Sequence, residues 1–69
     1  MKPFDVVALT EDLPERHLQR GQVGTIVEML AAGVFEVEFA DMEGRTYASL
    51  ALPEYKLMVL HHEPVEEAA

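Results

Sequence analysis

The stretch Val34-Phe35-Glu36-Val37-Glu38-Phe39-Ala40 alternates without a break between apolar and acidic side chains over its central five positions. A period of two is the signature of a strand with one face buried and the other in water. Phe35, Val37 and Phe39 belong on the core face, and Glu36 and Glu38 on the solvated one. A slip of one residue against a neighbouring strand would bury both glutamates, so the register is firmly set. Such a strand needs antiparallel neighbours and a second apolar layer.

The rest of the chain supplies them. Residues 5–10 are β-branched and apolar and read as a first strand. Residues 11–20 are charged, contain Pro14 and leave the sheet as a long loop, with Leu13 and Leu18 folding it back over one end of the core. Residues 22–30 form a second strand, in which Gly24 marks a bulge or bend where backbones approach closely. Asp41-Met42-Glu43-Gly44 has the composition of a tight hairpin connection. Residues 45–52 alternate again, with Thr46, Ala48, Leu50 and Leu52 on one face and Arg45, Tyr47, Ser49 and Ala51 on the other. Pro53 ends that strand, residues 53–55 suit one 3₁₀ turn, and residues 56–60 form a last strand with Leu57 and Val59 inward. The expected core is Val7, Leu9, Val23, Ile26, Phe35, Val37, Phe39, Leu50, Leu52 and Leu57. The expected fold is all-β: a small five-stranded SH3-like barrel with a 3₁₀ turn before the last strand.

Composition narrows the functional classes. With 69 residues the chain has room for one domain, assigned to residues 1–60, followed by an acidic tail over 61–69 that is expected to fray. Thirteen acidic and five basic side chains leave a formal charge of −8, which repels nucleic acid phosphates and anionic membrane surfaces. No apolar run approaches the roughly 20 residues that span a bilayer. There is no cysteine, hence no disulfide staple, thiolate metal site or thiol nucleophile. Without a signal-peptide pattern at the N-terminus, the cytoplasm is the expected compartment.

The spacing of chemically reactive side chains builds no catalytic constellation. Ser49 is the only serine and stands in mid-strand without a nucleophile elbow; a triad would need it to meet His61 or His62 and an acid such as Glu63. His61 and His62 are adjacent, so on a strand they point to opposite faces and do not share a metal ion. Glu36 and Glu38 share a face at about 7 Å, a spacing compatible with paired-carboxylate chemistry only where a cleft exists. No catalytic, cofactor-binding or metal-ligating residue is assigned, and the chain is expected not to be an enzyme.

The motifs Phe4-Asp5-Val6-Val7-Ala8-Leu9, Leu13-Pro14 and Gly21-Gln22-Val23-Gly24-Thr25-Ile26-Val27 occur in order. They are followed by Phe35-Glu36-Val37-Glu38-Phe39, Gly44-Arg45-Thr46 and Leu52-Pro53. Together they resemble a family of small stand-alone bacterial SH3-like proteins catalogued as a domain of unknown function. The resemblance implies the fold over nearly the whole chain up to Leu60, and brings no activity, cofactor or site residue. Arg20 to Ile26 also looks like the glycine-spaced turn of RNA-binding ribosomal barrels, but here it lacks the basic surroundings that RNA needs.

Two functions of different class remain. The first is a non-enzymatic interaction module for a basic protein partner, one form being an antitoxin-like or immunity-like neutralising protein. The second is a small-molecule-binding protein or an accessory barrel of an enzyme complex, with Tyr47 and Tyr55 as an aromatic platform. A homo-oligomer, dimer or tetramer, is expected as well, because a short chain without staples has little core. Leu57-Met58-Val59-Leu60 is apolar on both faces. The candidate interface is therefore Leu57, Met58, Val59, Leu60, Tyr47 and Tyr55.

Overall fold

The computed structural model describes residues 1–64. Its strands are β1 (Val6–Leu9), β2 (Val23–Ala31), β3 (Val34–Ala40), β4 (Thr46–Pro53) and β5 (Leu57–Val59). They form one antiparallel sheet in the order β4-β3-β2-β1-β5. A 3₁₀ turn, Glu54–Lys56, precedes β5, as expected, though one residue later than Pro53 had suggested. Pro53 itself closes β4 opposite Val34, a strand-end position where its missing N–H is tolerated. Strand count, order and turn are those of the SH3-like arrangement. The sheet curls without closing, so β4 and β5 remain as edges.

The core lies inside the curl. Val7, Leu9, Ile26, Phe35, Val37, Phe39, Leu50, Leu52 and Leu57 are buried together, as the alternation predicts. Leu13 and Leu18 complete it: they bridge each other across the loop and carry it back onto the sheet. Between them stands a 3₁₀ turn, Pro14–Arg16, within the stretch expected to be plain loop. Pro suits the start of such a turn because its absent N–H would be unpaired there in any case.

Two positions differ from the expected pattern. Val23, expected in the core, is 48% exposed. It pairs with Ala8, while its neighbour Gly24 pairs with buried Val7, so the period of two turns Val23 outward. The second difference lies at the start of β4. Phe39 pairs with Ala48 but Ala40 pairs with Thr46, a shift that leaves Tyr47 as an extra residue. Beyond the bulge the inside-outside parity reverses. Thr46 joins the outer face and donates its hydroxyl to Glu38 (2.8 Å), while the Tyr47 ring leans on Phe39 with centroids 6.5 Å apart.

The β3–β4 connection is held by Asp41. Its carboxylate accepts the backbone N–H of Glu43 (2.9 Å) and of Arg45 (3.0 Å), and the Arg45 guanidinium at 3.1 Å. Gly44 supplies the left-handed residue of the turn, with φ of 82°. The Arg45 N–H above all, then that of Glu43 and the guanidinium, hold the Asp41 carboxyl below the usual carboxylate range, against an opposing effect of desolvation. A carboxyl lowered on folding stabilises above its ordinary range, and that contribution disappears as pH falls through the lowered value. Asp41→Ala is therefore expected to lower the melting temperature at neutral pH, with the gap to the parent protein closing on acidification. Thermal melts from neutral to acid pH check this, and a gap that stays constant contradicts it.

Candidate functional site

Three carboxylates gather on the outer face of the sheet. Glu36 and Glu38 alternate with the core residues of β3, and Glu28 of β2 stands directly opposite Glu36. A register shift between Ile26 and Glu28 brings Glu28 into that position. Residues directly opposite in antiparallel strands share a face, and like charges placed so repel. Around them stand Thr25, opposite Glu38, and the hydroxyl side chains of β4. Ser49 donates to Glu36 at 2.7 Å and Thr46 to Glu38 at 2.8 Å, so the hydroxyls of the edge strand orient both carboxylates.

The basic side chains lie elsewhere. Lys2 pairs with Asp5 (2.6 Å), Arg45 with Asp41 and Glu43 (3.1 and 2.7 Å), and Lys56 with Glu11 (3.6 Å). Arg16 and Arg20 belong to the loop between β1 and β2. Among the described residues, no ion pair reaches Glu28, Glu36 or Glu38. The centre of the outer face therefore carries uncompensated negative charge. Asp5 differs: the Lys2 ammonium bonded to it holds its carboxyl below the usual range, opposed in part by desolvation.

The expected interface residues fall apart into separate places. Leu57 is in the core, only 5% exposed, and Val59 packs against that core, so neither side chain is presented to a partner. Met58 is exposed and Leu60 half-buried on the outer face. Tyr47 lies at one end of β4 and accepts a hydrogen bond from the Gln22 side chain (3.0 Å). Tyr55 follows the other end and is 73% exposed. The strand from Tyr47 to Pro53 rises by about 20 Å, so the two rings form no common platform.

Ser49 and the histidines are likewise separated. Ser49 is in edge strand β4, whereas His61 and His62 follow β5 at the opposite edge. His61 and His62 line a shallow depression with Lys2, Asp5 and Leu60. Among the described residues, no group of three His, Asp or Glu side chains converges as a metal site. No helix among them is long and apolar enough to cross a membrane. The expected fraying of the tail falls partly on residues 65–69, which lie outside the described residues; residues 61–64 are exposed.

Sequence reading identified Glu36 and Glu38 but missed Glu28. Residues 22–30 show no clean alternation from which faces could be assigned, and a bulge changes the parity after Ile26. The only local signal was Glu28 itself, a charge inside an otherwise apolar run.

Neither the curated proteins nor the solved structures hold a match to the chain. A family model described as a domain of unknown function (DUF4926) matches residues 4–59, spanning all five strands. The chain belongs to that family.

Proposed function

We propose that the protein is a non-enzymatic interaction module that docks a basic protein partner on the outer face of β2, β3 and β4. The observation that supports this most is the trio Glu28, Glu36 and Glu38, two of them directly opposed, with no cation paired to any of them among the described residues. Opposed like charges cost the folded chain stability. A partner's Lys or Arg would relieve that cost, and a carboxylate already held by Ser49 or Thr46 loses less freedom on binding. Small outer side chains on β4, Ser49 and Ala51, leave Glu36 approachable from the sheet edge. A neutralising protein of antitoxin or immunity type for a basic partner is the concrete form we favour. Complete lack of cysteine suits a bacterial cytoplasm as its setting.

The triple variant Glu28→Gln, Glu36→Gln, Glu38→Gln tests the reading. It is expected to melt higher than the parent protein, because the repulsion is gone, and to bind a lysine-rich peptide at least tenfold more weakly. Calorimetric titration at low and high salt measures the second effect, which should shrink as salt screens the charges. Unchanged affinity in the variant would place the contact elsewhere.

A further inference from the structure

We infer that β5 pairs with β5 of a second copy of the chain, antiparallel about a two-fold axis at Met58. The inference goes beyond the acidic face and does not depend on it. Ala8 pairs with Val23 on one side and with Met58 on the other, so the three form one row across β2, β1 and β5. Their neighbours Val7, Leu9 and Leu57 fill the core, which puts this row on the outer face. Val23 and Met58 are 48% and 54% exposed, while Ala8 between them is only 4% exposed. Half-buried Val6 and Leu60 share the face. Among the described residues, the sheet thus shows water an uncharged apolar patch that ends at an unpaired edge.

The backbone at that edge has a defined pattern. Leu60 N–H bonds the Val6 carbonyl (2.9 Å) and Thr10 N–H bonds the Lys56 carbonyl (3.0 Å). Hydrogen-bonded pairs alternate along an antiparallel ladder, so the Ala8–Met58 pair between these two is also of that kind. The N–H and C=O of Met58 consequently face β1, and those of Leu57 and Val59 turn toward the open edge. Leu57 N–H is taken by the Glu54 carbonyl of the 3₁₀ turn. Among the described residues, the Leu57 carbonyl and both the N–H and the carbonyl of Val59 remain for a partner strand.

Two of the three, the Leu57 carbonyl and the Val59 N–H, are matched by a second copy. A two-fold axis at Met58 sets Leu57 of each chain opposite Val59 of the other, so the Val59 N–H donates to the opposing Leu57 carbonyl twice over. The two methionines then meet side by side on the outer face as a non-hydrogen-bonded pair, with Cα atoms about 4.5 Å apart. Two apolar rows become one, running through both copies, and Met adapts readily to such a contact. Charge distribution favours a copy over a basic partner here. The patch holds no ionisable group, Lys56 beside it is already paired with Glu11, and the unpaired carboxylates lie on β2 and β3 toward the other edge. Edge strands that avoid association carry charges or proline, and 57–60 has neither.

The test uses the lack of native cysteine. Met58→Cys places one thiol on the two-fold axis, where the expected separation suits a disulfide. On mild oxidation most of this variant should become a covalent dimer, whereas Ala51→Cys on the opposite edge strand should form little covalent dimer. Light scattering on the full chain should give twice 7.7 kDa at high concentration. Met58→Lys should return it to the single mass without loss of the cooperative melt. A monomer at every concentration, cross-linking through Ala51→Cys as readily as through Met58→Cys, or a dimer that survives Met58→Lys would each overturn the pairing. Glu28, Glu36 and Glu38 are untouched by these variants, so failure here leaves the partner face standing, and loss of peptide binding leaves the dimer standing.

Discussion

Phe39→Ala is expected to remove most or all of the folded population. Phe39 is the largest of the fully buried side chains, and it reaches the Gly24 backbone on one side and the Tyr47 ring on another. Truncating a buried aromatic typically costs about 3–5 kcal/mol, from lost transfer energy and from the cavity left behind. Small domains have on the order of 5 kcal/mol in hand. Urea denaturation followed by circular dichroism measures the loss. A midpoint within experimental error of the parent protein would mean that β3 presents its other face to the core.

Gly24→Ala is the second large effect, and for the opposite reason. A methyl group at this position meets Val37 Cγ1 at 2.8 Å, the Glu38 carbonyl oxygen at 2.9 Å and Phe39 Cδ1 at 3.0 Å. One of these is backbone, held in the β2–β3 ladder, and cannot swing aside as a side chain can. Overpacking of this kind costs on the order of 1–3 kcal/mol, and the β2–β3 ladder should loosen first. Thermal melting and amide exchange across Thr25 and Glu38 check it. The glycine is there to let two strands lie close where the sheet curls, so an alanine variant as stable as the parent would refute that role.

Legibility in the sequence followed the regularity of the backbone. The alternation in β3 identified its buried and solvated faces because no bulge interrupts it between Val34 and Phe39. Leu13 and Leu18 were legible for another reason: two large apolar side chains in a charged loop have nowhere to go but the core. What was lost was parity. Val23 and Ile26 are three residues apart, and the apolar character that suggests both are inward conflicts with a period of two within one regular strand. Ile26 is inward, Val23 is not. Thr46 and Tyr47 exchanged roles through a one-residue shift at Phe39/Ala40 that no residue type announces. The same limit hid Glu28 from the acidic face and Ala8 from the apolar row, because a face is completed by residues from different strands and their register is a property of the fold.

The acidic face carries the functional reading, and residue-resolved titration tests it most directly. A lysine-rich peptide added to isotope-labelled protein should shift amide resonances of Thr25, Glu28, Glu36, Glu38, Thr46 and Ser49 together. Those shifts should saturate and should weaken as salt is raised. Shifts spread evenly over every acidic residue, Glu11, Glu15 and Glu63 included, or centred on the loop between β1 and β2, would contradict a docking face built on β2, β3 and β4.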